Sequence, residues 1–141
     1  MTRAQLHITL RFLGELSPAA VERVRSAVAA VAVQPFDIEL RRAGAFPDLA
    51  RPRTLWLGGD RGALELTALA GRVNDALFGV GIPRNDRPFS PHLTLARSDG
   101  SPLPPALMRE LERVPSVAWR CSDISLMRSR LTPRGAVYTR L

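Results

Sequence analysis

Leu6-His7-Ile8-Thr9-Leu10-Arg11-Phe12-Leu13 and Phe89-Ser90-Pro91-His92-Leu93-Thr94-Leu95-Ala96 carry one tetrad twice, His-Ile-Thr-Leu and His-Leu-Thr-Leu, and hold both histidines of the chain. Each stretch alternates in the manner of a β-strand, whose successive side chains point to opposite faces. His7 and Thr9 are therefore expected on one face, with Ile8, Leu10 and Phe12 on the other. The same pattern sets His92 and Thr94 against Leu93 and Leu95. Each strand would bury an aliphatic face and present an imidazole beside a hydroxyl on the opposite one. Two such strands facing each other make a single site with two imidazoles and two hydroxyls.

That set of groups suits metal-free phosphoester chemistry. An unperturbed imidazole titrates near ~6.5, so at neutral pH one ring can accept a proton while the other donates one. One histidine takes the proton of the attacking oxygen, and the other protonates the departing oxygen. Thr9 and Thr94 can donate hydrogen bonds to the non-bridging phosphoryl oxygens, where negative charge sits in the transition state. A lone His-x-Thr on a half-buried strand is usually structural, but a duplicated tetrad holding every histidine is not well explained that way. Zinc normally takes three or four nitrogen, sulfur or carboxylate ligands, and neither tetrad contains a carboxylate. No Gly-x-Ser-x-Gly elbow occurs near Ser90, and nothing around Cys121, the single cysteine, marks an activated thiol. No metal and no cofactor are expected.

Composition bounds the rest. At 141 residues and 45% hydrophobic content, the chain suits one globular domain with a real core. One cysteine excludes an internal disulfide and fits a reducing compartment. No leader of charged then apolar residues is visible and no apolar run approaches ~20 residues, so a cytoplasmic location and no membrane contact are expected. The net charge is +7 and all twenty basic residues are arginine. That sign favours an anionic ligand, and arginine forks grip phosphate bidentately.

The duplication extends beyond the tetrads. After the first, Ser17 reads as a helix N-cap with Pro18 at the first position and Val21, Val24, Val28 and Val31 as one stripe. Residues 36–41 and 53–57 read as strands, separated by a loop containing Ala45-Phe46-Pro47-Asp48. After the second, Pro104 and Pro105 open a helix carrying Leu107, Leu111 and Val114. Strands come next over about 117–127 and 136–140, around the turn Leu131-Thr132-Pro133-Arg134-Gly135. A helix over about 63–78, with Leu66, Leu69, Val73 and Leu77 on one face and Gly79 after it, lies between the halves. The expected fold is α+β: two pseudo-symmetric lobes of antiparallel sheet, about 1–60 and 61–141 with strand exchange between them open, outer helices and a central cleft. By the same symmetry the start is short, because only six residues precede His7 where the second tetrad has a helix leading into it.

These segments, with "AFPDLARPRTLWLGG" from Ala45 and "SLMRSRLTPRGAVY" from Ser125, resemble the two-histidine phosphoesterase superfamily, most closely the RNA 2′,3′-cyclic phosphodiesterases also called 2′–5′ RNA ligases. The resemblance runs from about Leu6 to the C-terminus. It implies that His92 is the general base activating water and that His7 is the acid protonating the 3′ oxygen, leaving a 2′-phosphate. It also implies phosphoryl contacts from Thr9 and Thr94, and a phosphate or base contact from Arg97. Phe46 is a candidate for stacking on a base. Arg11 is a candidate ligand contact if its strand stays regular, and Arg53, Arg84 and Arg87 are weaker ones. The implied partner is RNA or an oligonucleotide with a 2′,3′-cyclic phosphate end, and no protein partner is inferable.

Members of that family usually begin with a strand and helix that this chain lacks, so an exposed edge is expected, with either self-association through the first lobe or lower stability. Three functional readings stand at this point: hydrolysis, ATP-independent 2′–5′ ligation by the same site in reverse, and non-catalytic binding of RNA ends. With no lysine and no phosphate-binding glycine loop, ATP-dependent ligation is excluded.

Overall fold

The computed structural model describes residues 5–85, 87–133 and 135–141. Arg134, in the expected turn after Leu131, lies outside them. Among the described residues the order is α1 (Pro18–Ala29), β1 (Phe36–Leu40), β2 (Arg42–Phe46), β3 (Thr54–Gly58), α2 (Ala63–Phe78), β4 (Leu93–Arg97), α3 (Pro105–Glu112), β5 (Val117–Cys121), β6 (Met127–Thr132) and β7 (Gly135–Arg140). The mixed α+β class with antiparallel sheets agrees with the sequence reading. Pairing crosses the chain: β1 pairs with β5, β4 joins the sheet β2-β3-β4, and β6 pairs with β7, each pair antiparallel. No helix among the described residues is long and apolar enough to cross a membrane.

α1 forms where the sequence supplies both a cap and a stripe, whereas α2 follows a glycine N-cap and rests on its stripe. Ser17 Oγ accepts from the Ala20 backbone N–H at 3.2 Å, and Pro18 is next to it in the first turn. α1 then buries Ala20 and Val24. α2 buries Leu66, Leu69, Ala70, Val73 and Leu77, a spacing of three and four that lays one face on the core.

The core has two centres. Val24, Val73, Leu77 and Ile82 join α1 to α2. Ile38, Leu40, Leu57 and Leu66 join the sheets to α2, and Ile8, Leu93 and Leu95 of the two tetrads pack against them. Leu10 touches both centres. The aliphatic half of each tetrad is thus core, which leaves the opposite half free for chemistry.

Three local expectations need correction. The first tetrad is not a strand over residues 6–13. It makes one antiparallel bridge, Ile8 to Leu93, and the chain bends at Leu10. Beyond that bend alternation stops, so Phe12 is 79% exposed instead of buried. Residues 42–46, read as the start of a loop, form β2. Arg42-Ala43-Gly44-Ala45 carries no β-branched signal, yet its small side chains allow Trp56 of the paired strand to lie across Gly44. Finally, the long strand expected over 117–127 is two strands in different sheets. They are separated by residues 122–126, where Asp123 faces Arg140 at 3.7 Å.

Candidate active site

The Ile8–Leu93 bridge fixes the relation between the tetrads. In an antiparallel pair the flanking residues lie opposite each other in turn, which sets His7 across from Thr94 and Thr9 across from His92. Since Ile8 and Leu93 point into the core, these four side chains share the outer face. Both imidazoles and both hydroxyls therefore meet on neighbouring backbone segments, one pair diagonal to the other.

The two rings are held alike. His7 Nδ1 lies 2.7 Å from the Gln5 carbonyl, and His92 Nδ1 lies 2.7 Å from the Ser90 carbonyl, each two residues upstream. A carbonyl only accepts, so Nδ1 carries the hydrogen in both rings and Nε2 is the nitrogen left for chemistry. Each imidazole also meets an aromatic ring edge-to-face: His7 with Tyr138 at 4.7 Å and His92 with Phe46 at 5.0 Å between centroids. Phe46 in turn rests on Trp56, centroids 5.3 Å apart.

Arg97 reaches this face through an irregularity. Plain alternation from His92 and Thr94 would turn Arg97 toward the core. On β3, however, consecutive Leu55 and Trp56 pair with Ala96 and Thr94, so Leu95 is an extra residue on β4. Such a bulge resets the alternation and re-aims the side chains beyond it. Arg97 falls opposite Thr54, and Thr54 lies opposite Phe46 on β2. The exposed face thus carries Phe46, Thr54, Trp56, Arg97, Thr94 and His92 across three strands, with Thr9 and His7 beside them.

Arg11 takes a different course. After the bend at Leu10 its Nη2 donates to the Pro83 carbonyl at 2.7 Å, and its Nε is buried without a partner. Arg84 pairs with Asp75 at 2.6 Å and lies over the Phe78 ring. Arg53 packs its guanidinium near Gly100, and the Arg87 backbone N–H donates to Asn85.

Sequence reasoning singled out neither Gln5, Trp56 nor Tyr138. A backbone carbonyl such as that of Gln5 leaves no trace in composition. Tyr138 had one signal: it is the only tyrosine in the chain.

Cys121 is set up for a structural role. Burial pushes its thiol up and the nearby Asp123 charge adds to that, so the nucleophilic thiolate is scarce at neutral pH. Iodoacetamide followed by mass spectrometry at pH 8 is expected to label Cys121 more slowly than free cysteine; labelling at the free-thiol rate contradicts this reading. Among the described residues, no group of three or more His, Cys, Asp or Glu is placed to hold a metal ion.

The chain resembles known proteins over nearly its whole length. The family model described as 2′-5′ RNA ligase superfamily matches residues 1–133. A protein of Aeropyrum pernix named RNA 2′,3′-cyclic phosphodiesterase is 39% identical over 138 residues, covering 96% of this chain and 78% of the relative. A crystal structure from Thermus thermophilus superposes with a TM-score of 0.76 at 34% identity, covering 97% of this chain and 75% of that one. Escherichia coli LigT, crystallised with 3′-AMP, gives 0.71 at 28% identity over 96% of this chain and 74% of its own. Fold and matched length agree: the chain belongs to the 2′-5′ RNA ligase superfamily.

Proposed function

We propose that this protein hydrolyses 2′,3′-cyclic phosphate ends of RNA to 2′-phosphates by general acid–base catalysis. The observation that carries the reading is the single face on which His7, Thr9, His92 and Thr94 meet around the Ile8–Leu93 bridge, with both Nδ1 atoms engaged. Nε2 of His92 takes a proton from water as the water oxygen attacks phosphorus. The bond from phosphorus to O3′ breaks, and Nε2 of protonated His7 supplies the proton that O3′ needs. Thr9, Thr94 and Arg97 meet the non-bridging oxygens, where charge is densest. Phe46, 36% exposed beside His92, offers its free surface to the terminal base.

The decisive test is incubation with a 2′,3′-cyclic phosphate oligonucleotide in excess chelator, with identification of the product end. A 2′-phosphate is expected. A 3′-phosphate, or activity lost in chelator and restored by zinc or manganese, overturns the mechanism. Because the matched family is described by ligation, the same incubation with a 5′-hydroxyl oligonucleotide tests the reverse reaction, which would appear as a 2′–5′ linked product without ATP. The rate is expected to pass through a maximum as pH is varied, since one imidazole must be protonated while the other is neutral.

Thr9→Val and Thr94→Val keep the β-branched shape and delete one donor each. Both should slow turnover, by up to roughly 10²–10³-fold, as for loss of one transition-state hydrogen bond. Steady-state kinetics in which both variants match wild type would remove the threonines from the phosphate site.

A further inference from the structure

The two imidazoles are held alike at Nδ1 but not at the carbonyl that holds them. At the second tetrad the accepting carbonyl belongs to Ser90, and the residue between it and His92 is Pro91. Proline fixes its own φ and restricts the residue before it, so the chain itself stiffens the Ser90 carbonyl. At the first tetrad the intervening residue is Leu6, which supplies no such stiffness. The Gln5 side chain is instead anchored from the far end of the chain. Gln5 Nε2 donates to the Ala136 carbonyl of β7 at 2.8 Å. Two residues along the same strand, Tyr138 sets its ring against His7. Ala136 and Tyr138 lie two residues apart on β7, as Gln5 and His7 do on the segment they meet. The last strand thus grips the first tetrad twice, once through its backbone segment and once through its ring.

We propose that Gln5 and Tyr138 are positioning residues for the leaving-group acid, fixing the direction in which His7 Nε2 delivers its proton. This rests on the acid role of His7 proposed above. The ring of Tyr138 does the work by contact, and its hydroxyl is dispensable. The amide of Gln5 acts by tethering the carbonyl that orients Nδ1. Neither side chain makes or breaks a bond in the reaction. Loosening either leaves binding by the threonines and Arg97 in place while the acid is misaimed. Misplacement of a catalytic group by about 1 Å can cost on the order of 10²-fold, so the loss belongs in kcat and not in KM.

The test exploits what an acid is for. Two substrates are compared, a 2′,3′-cyclic phosphate oligonucleotide and its analogue with sulfur replacing the 3′ bridging oxygen. On the analogue, water still attacks phosphorus and the phosphorus–sulfur bond breaks. The thiolate leaves with the bonding electron pair and needs no proton from the enzyme, because thiols are far stronger acids than ribose hydroxyls. Tyr138→Leu and Gln5→Met are expected to lower kcat on the oxygen substrate by roughly tenfold to a hundredfold, with KM changed less than about twofold, and to recover near-wild-type kcat on the sulfur analogue. Tyr138→Phe, which keeps the ring, restores the oxygen rate. His7→Ala should likewise be rescued by sulfur, and His92→Ala should not.

If His7→Ala gains nothing from sulfur, the acid assignment itself fails. If His7→Ala is rescued but Tyr138→Leu and Gln5→Met match wild type, or lose equally on both substrates, the positioning inference is overturned while the acid assignment stands. Gln5→Met, a substitution of similar size near the surface, keeps the test decisive should Tyr138→Leu fold poorly.

Discussion

Replacing either His7 or His92 by alanine is expected to lower kcat for 2′,3′-cyclic phosphate hydrolysis by roughly 10²–10⁴-fold, the usual worth of a positioned acid or base. Stability should barely move. His7 is exposed and His92 half-buried, both on the face away from the aliphatic core, and surface changes of this kind usually stay within about 0.5 kcal/mol. The double variant should lose little more than the worse single variant, because the two groups act in one step and such effects do not add. Kinetics and thermal melts on the three variants check this together. Near-wild-type turnover in either single variant would end the two-histidine mechanism.

The motif itself was legible because chemistry-bearing residues were scarce. Two histidines, each with threonine two residues on and flanked by aliphatics, fixed both the face and the groups without any knowledge of pairing. The helices were equally plain, since Ser17-Pro18 and the leucine stripe of 66–77 are local signals. Less legible was everything set by a partner strand. Arg97 joins the site through a bulge that depends on how β3 pairs with β4, so its alternation in sequence points the wrong way. The small residues of β2 look like a loop until Trp56 of β3 fills the space above Gly44. Phe12 looked apolar-facing because the bend at Leu10 has no glycine or proline to announce it. Tyr138 is separated from His7 by nearly the whole chain, and only the fold brings the rings together. Chemistry was written in the tetrads, while its orientation is written in contacts between distant segments.

Gly59 and Gly44 both carry large expected effects on stability, and comparing them separates fold from site. A Cβ at Gly59 would land on the Glu39 carbonyl oxygen, with the Glu39 carbonyl carbon at 3.0 Å and Leu40 Cα at 3.1 Å. These are backbone atoms at the end of β1, beside a Leu40 side chain that is 1% exposed. Neither side can yield without separating the two segments. A Cβ at Gly44 would instead enter the Trp56 indole. The indole must swing aside, and Phe46, which rests on it and meets His92, loses its support. Overpacking a tight contact typically costs about 1–3 kcal/mol, so both Gly59→Ala and Gly44→Ala should lower the denaturant midpoint. They should differ in catalysis. Measured per folded molecule well below the melting transition, Gly59→Ala should retain kcat, since its clash lies between β1 and the end of β3. Gly44→Ala should lose several-fold, because its displaced ring is part of the stack that ends at His92. A Gly44→Ala enzyme with unchanged stability and turnover would show that displacing Trp56 costs neither the fold nor the Phe46–His92 contact.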